Sequence, residues 1–447
     1  MLSGLFNIRV CTPLLVFLCV FLIHLHAANA AEFLVNNTVH TTDYGSPGAK
    51  QVWTSSTDGY VFYHNSTANI VMASTTDGGV TWSAERQVDS VNTLDAADVA
   101  VWWDGWTGDG TTQYIHIATI DTGVDDTYYT RLDLTTGAFS TTVLATTQVA
   151  SITVGTNYTA ITKAENGVIY MAAADISDSW VVSCSTTCTT AGNWSERTSA
   201  FGTTPDFGDD PPFLAPIGGT NNIMLVYWDT SADTLDYNVY SATSSSWWFT
   251  ATKNFATGIE DNTLVEGQLI GFAYDSVRGD IYIASGDDTN DYVTQDHDII
   301  VWKYNIATGW VQLSNPATNV SGGIAGVKIG VNIDTGYLYV AYIRRTTIGT
   351  ATTANIYYVT STDGGLSWSG ESAALNTTVD SLFFFDATQQ IKSSYRFGVT
   401  WKYITAPNDD DLYFAPISIW YKVNRRIHLF EGFTLKLPSG RMIVNQE

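Results

Sequence analysis

The chain is short of positive charge. Its 447 residues carry 20 Lys and Arg against 44 Asp and Glu, a formal net charge of −24. A field of that sign repels DNA, RNA and anionic membrane surfaces, which argues against nucleic acid as a partner. Cysteine is equally scarce. Of four, Cys11 and Cys19 fall within the first thirty residues, leaving Cys184 and Cys188. No free catalytic thiol or Cys/His metal site is then in view, and no nucleophile-elbow motif supports Ser-His-Asp chemistry. Helical periodicity is almost absent after residue 31, which argues against helical bundles and α/β folds. The longest apolar run, 13–25, is too short to span a bilayer comfortably.

That run follows Arg9 and precedes Ala28-Asn29-Ala30, a small-residue site for signal peptidase. Residues 1–30 therefore read as a signal peptide cleaved before Ala31, with an uncleaved anchor as the alternative and no membrane span in the mature chain. The expected address is secreted or extracellular, with the periplasm or a cell surface as variants. Export to an oxidising compartment makes a local disulfide between Cys184 and Cys188 the natural expectation. Sequons at Asn36, Asn65, Asn157, Asn193, Asn319 and Asn376 would be glycosylated only in a host that does so.

What the chain has in quantity is short strands. Aromatic and β-branched runs alternate with clusters of Gly, Asn, Asp and Thr, the pattern of an all-β repeat protein. One strand recurs seven times after a turn, at 59–63, 113–117, 167–171, 222–226, 280–284, 336–340 and 395–399. Each is followed by a second strand, a turn and a third, and preceded by an apolar segment. The unit is thus a four-stranded antiparallel blade of roughly 57 residues.

Two of these units carry the same turn, Thr75-x-Asp77-x-Gly79-x-Thr81-Trp82 and Ser361-x-Asp363-x-Gly365-x-Ser367-Trp368. Asp accepts backbone N–H bonds there, Gly permits a positive φ, and Trp caps the following strand. The motif resembles the Asp-box, or BNR repeat, of sialidase-like β-propellers. The resemblance implies a β-propeller with these boxes as structural turns on the face opposite the ligand. Residues 31–420 are assigned to it, seven blades being favoured over six. The last unit lacks a fourth strand, and 32–36 is expected to supply it and close the ring. Elsewhere the turn decays: Cys184 to Cys188 staples the third unit, and 244–248 in the fourth has neither Asp nor Gly. Residues 421–447 form a basic C-terminal tail with five Lys/Arg against two Glu, whose sign favours docking against the acidic propeller, a frayed terminus being the alternative.

If the boxes mark the bottom, the loops between strands two and three lie on top, and five of seven are acidic. The ligand-binding candidates are Asp121, Asp125, Asp126, Asp175, Asp178 and Asp229, with Trp228 as a sugar-stacking ring. Asp287, Asp291 and Asp298 form the metal candidate. Their oxygens favour Ca2+, although Tyr292 stands where an EF-hand needs Gly. The Trp-rich stretch 102–106 falls between strands one and two, where blade packing is the stronger reading.

Sialidases of the family grip the substrate carboxylate with three arginines from separate blades, the first ahead of the first box. Residues 31–81 here contain no Arg. Arg344, Arg345, Arg396 and Tyr403 are the remaining catalytic candidates, and the arginines come only from adjacent units. The resulting expectation is a propeller that binds glycan or another extracellular ligand without sialidase catalysis. A glycoside hydrolase with a rearranged site and a cell-surface scaffold are the alternatives.

Overall fold

Seven antiparallel sheets succeed one another along the chain in the computed structural model. It describes residues 31–39, 50–67, 69–88, 96–121, 126–146, 158–174, 179–197, 211–229, 232–249, 253–259, 270–287, 297–320, 324–345, 354–374, 385–392, 397–406 and 409–417. The segments 1–30 and 418–447 lie outside them. The recurrent strand read from the sequence is the second of each blade: Gly59–His64, Tyr114–Asp121, Ile169–Ala174, Ile223–Asp229, Asp280–Asp287, Tyr337–Arg345 and Phe397–Ala406. Seven blades, not six, build the propeller.

Blade 3 shows why these residues form strands. Tyr158–Lys163 and Ile169–Ala174 are buried at every position, and Ser179–Cys184 at all but the first. A sheet covered on both faces by neighbouring blades needs near-continuous apolar runs rather than alternation. The outermost strand, Ser195–Glu196, is exposed and polar. In blades 2, 4 and 5 this outer strand is split in two. First strands pack on the first strands of adjacent blades and so surround the axis.

The N-terminal strand Phe33–Val39 pairs antiparallel with Asp409–Ile417, completing blade 7 and closing the ring. Glu85 of blade 1 fastens this closure. One carboxylate oxygen accepts Asn36 Nδ2 at 2.9 Å and the other Asn65 Nδ2 at 2.9 Å. Closure covers the edge of Asp409–Ile417 that would otherwise lie open to another chain.

The two repeated turns adopt one geometry. Asp77 Oδ1 accepts the amides of Val80 and Thr81 at 3.0 and 2.9 Å, and Asp363 Oδ1 accepts that of Ser367 at 2.9 Å. Hydroxyls of Thr81 and Ser367 donate to the second oxygens at 2.6 and 2.5 Å. These bonds lower both carboxyls to about 2. Gly79 and Gly365 have φ of 88° and 91°. A Cβ at either would lie 2.3 Å from Phe414 or 2.5 Å from Leu313, side chains of the preceding blade. Each turn is thus also a seat for its neighbour. In blade 3 the Cys184–Cys188 disulfide takes the turn's place, with Trp194 Nε1 donating to Cys188 O at 3.0 Å. In blade 4, which lacks Gly here, Ser245 is forced to φ 50°.

Candidate functional site

Charged side chains gather where the fold alone asks for apolar filling. Lys50, Asp98, Lys328 and Asp386 stand on or beside the first strands of blades 1, 2, 6 and 7, and all are buried. Lys50 Nζ meets Asp98 Oδ1 at 2.8 Å and Val99 O at 2.6 Å, while its amide donates to Asp386 Oδ2 at 2.9 Å. Asp98 Oδ2 accepts the Thr159 amide of blade 3 at 2.8 Å, and Lys328 Nζ donates to Ile270 O of blade 5 at 3.0 Å. The belt therefore links six of the seven blades around the axis. Lys328 and Asp386 face each other without reaching ion-pair distance. Burial drives the Lys328 ammonium down to about 8, partly offset by Asp386, and burial raises the Asp386 carboxyl.

Beside the belt a small pocket is walled by Ala100, Trp102, Ile161, Phe213 and Phe272, with Gln389 its polar member. The segment after Asp386 crosses the axis. Gln390 Nε2 reaches Tyr274 O at 2.8 Å and Trp106 O at 3.4 Å, and Gln390–Ile391 pairs in parallel with Ile324–Asn332 of blade 6. Gly330 permits the crossing, because a Cβ there would stand 2.3 Å from Thr388 O. The channel is plugged on the face that carries the repeated turns.

The opposite face carries the ends of strands two and three. Asp287 and Asp298 are register partners in blade 5, and Asp121 and Asp126 occupy opposed positions in blade 2. Asp298 Oδ2 accepts Asn315 Nδ2 at 2.8 Å, and Asp126 Oδ2 accepts the Tyr128 hydroxyl at 3.2 Å. Asp229 opposes Thr234 and accepts the Ala232 amide at 2.8 Å. In blade 7 Asp411 opposes Tyr403. Asp125, Asp175, Asp178, Asp291 and Arg396 lie outside the described residues, as do the side chains of Asp121, Arg345 and Tyr403. Among the described residues no three His, Cys, Asp or Glu cluster as a metal centre.

Two aromatic expectations resolve into packing. Trp228 is fully buried in the main core and presents no face to a sugar. Trp102 and Trp106 are likewise buried, edge to face at 5.6 Å. Arg344 is engaged away from the axis: its guanidinium bonds Glu371 at 3.3 Å and lies over the Tyr357 ring. Glu371 also accepts the hydroxyl of Tyr342.

A second buried cluster ties blade 2 to blade 3 on the plugged face. His116 Nε2 bonds Asp104 at 2.9 Å, His116 Nδ1 bonds the Tyr129 hydroxyl at 2.7 Å, and Lys163 Nζ reaches Asp104 at 2.6 Å and Asp109 at 2.7 Å. Burial alone would raise the Asp104 carboxyl, but bonds from His116 and Lys163 hold it below the ordinary range. Burial lowers the His116 imidazole, partly offset by the Asp104 carboxylate. The cluster staples blades and offers no access to a ligand.

The sequence reading missed the belt. Its one signal is a charge inside an apolar inner strand, as in Val327-Lys328-Ile329 and Phe385-Asp386-Ala387.

No protein-family model matches this sequence, and no curated protein is similar to it. Solved structures share the fold at low identity. An ulvan lyase of polysaccharide lyase family PL25, bound to -[GlcA(1-4)Rha3S]-, aligns with a TM-score of 0.50 and 13% identity over 87% of this chain and 96% of its own. The NanB sialidase of Streptococcus pneumoniae aligns with a TM-score of 0.42 and 9% identity over 86% of this chain and 70% of its own.

Proposed function

We propose that this chain is a secreted glycan-binding propeller whose ligand sits on the face opposite the repeated turns, above the axial belt. The observation that carries this reading is the register pair Asp287–Asp298. Like charges directly opposed across a sheet destabilise it, and blade 2 places Asp121 opposite Asp126 at the same end. Repeated on two blades, this opposition concentrates carboxylates on one face and marks it as the candidate ligand surface. Carboxylates accept paired bonds from vicinal hydroxyls, which suits a sugar. The net charge of −24 disfavours a polyanionic glycan, so the ligand class is neutral or amino-sugar oligosaccharide.

Asp287 and Asp298, joined by Asp291 from the connecting loop, are the residues that would hold Ca2+ in this proposal, with hard oxygen donors matching a hard cation. Sialidase catalysis is not part of it, since Arg344 is engaged by Glu371.

A glycan array is the test. Binding to neutral or amino-sugar glycans, weakened by Asp126→Asn with Asp229→Asn, supports the reading. A silent array, or selective binding of sulfated or uronate glycans, refutes it.

A further inference from the structure

Five blades place a Trp at the entry to their outer strand, and in four of these the indole N–H donates to a backbone carbonyl, of the same turn or of the preceding blade. Trp82 donates its indole N–H to Gly79 O at 3.1 Å, Trp194 to Cys188 O at 3.0 Å, Trp247 to Arg197 O at 2.7 Å and Trp368 to Ser314 O at 2.8 Å. Trp310 of blade 5 is the exception. Its Nε1 is shielded yet has no acceptor among the described residues. A buried donor left unpaired costs about 1–3 kcal/mol, a penalty that a ligand oxygen would relieve.

The surroundings of Trp310 differ in a second way. In the seams holding Trp194 and Trp247, the ring contacts Tyr129 or Tyr240 and both partners are buried. Between blades 4 and 5, Trp310 stacks on Phe255 with centroids 3.9 Å apart and planes 3° from parallel, and both rings are only half-buried. Tyr237 stands edge-on to Trp310 at 6.0 Å, and Phe249 edge-on to Tyr237 at 5.8 Å. Both are again half-buried. The Tyr237 hydroxyl makes no hydrogen bond among the described residues. At the rim, Lys253 lies 5.4 Å over Phe249, and Trp248 is 45% exposed.

We propose that this aromatic seam on the outer wall, between blades 4 and 5, is a second carbohydrate site that takes a single neutral hexose ring. The C–H face of a pyranose packs on the exposed surfaces of Phe255, Trp310 and Tyr237. A ring hydroxyl oxygen accepts the Trp310 N–H once the rim side chains give way, and the Tyr237 hydroxyl meets a neighbouring sugar oxygen. The ligand class rests on the glycan reading above, whereas the position is independent of the acidic face.

The test titrates the intact protein with glucose, galactose, mannose and N-acetylglucosamine, read by saturation-transfer NMR. Trp310→Phe keeps an aromatic face of smaller area and removes the donor, and Tyr237→Phe removes the hydroxyl. Asp126→Asn with Asp229→Asn perturbs only the acidic face. At least one sugar is expected to bind, about three- to tenfold more weakly to Trp310→Phe, with the same Trp310→Phe loss when that change is made in the acidic-face variant. Binding that only the acidic-face variant weakens overturns the seam and leaves the glycan reading standing. If no sugar transfers saturation the seam is overturned as well, and the array decides the broader reading separately.

Discussion

The Asp98 carboxylate bridges two blades at once, taking the Lys50 ammonium at 2.8 Å on one oxygen and the Thr159 amide at 2.8 Å on the other. Both charged side chains are nearly sealed from solvent, at 6% and 1% exposure. Asp98→Ala would strand a buried ammonium and an unpaired amide, a loss of about 3–5 kcal/mol. The double change Lys50→Met with Asp98→Leu removes both charges and is expected to cost less than Asp98→Ala alone. Urea unfolding of the three proteins checks the order.

Lys328 gives a pH test with a definite sign. Its folded value, about 8, lies below the ordinary 10.5. Between those values the unfolded chain binds the proton and the folded chain does not, so this group makes stability rise with pH. Below about pH 8 its penalty is present in full. Melting temperature measured from pH 7 to 10 should therefore climb more in the native protein than in Lys328→Met. Parallel curves for the two proteins would contradict this. Above pH 10 the raised buried tyrosines, among them Tyr170 at about 12, work in the opposite direction.

The repeated turns respond to acid. Asp77 and Asp363 are lowered to about 2, chiefly by the hydroxyls of Thr81 and Ser367. A depressed carboxyl contributes stability above its unfolded value, 3.8, and loses it as pH falls through 2. Asp363→Ala should lower the melting temperature at pH 7 and show a smaller further loss between pH 4 and 2. A variant as acid-sensitive as the native chain would contradict the assignment.

Backbone conformation supplies a paired test. Gly79→Ala puts a Cβ 2.3 Å from Phe414 at φ 88° and should destabilise strongly, by more than about 2 kcal/mol. Ser245→Gly relieves a left-handed residue on an exposed turn and should stabilise by about 0.5–1 kcal/mol. Thermal melts of the two variants should move in opposite directions.

Much of the architecture was legible because strand and turn signals are local. The seven recurrent strands, the closing strand Phe33–Val39 and the Cys184–Cys188 staple each depend on residues close in sequence or on a repeat count. The belt was not legible, because a lone Lys or Asp in an apolar run carries no periodic signature, and Lys50 of blade 1 meets Asp386 of blade 7 only after the ring has closed. Trp228 misled for a related reason. The sequence places it at the end of strand two, but only the packing of blade 4 on its neighbours decides whether that ring is sealed. The plug at Gln389 and Gln390 depends on Gly330 letting Thr388 approach, a contact between blades that no local pattern announces.

The most direct measurement is a titration of the intact protein with the best neutral oligosaccharide from the array, alongside Asp126→Asn with Asp229→Asn. Saturable binding, weakened at least about tenfold in the variant at unchanged melting temperature, is the expected result. Binding of equal strength in both proteins, or none to any neutral or amino-sugar oligosaccharide, would contradict the assignment of that face to a glycan.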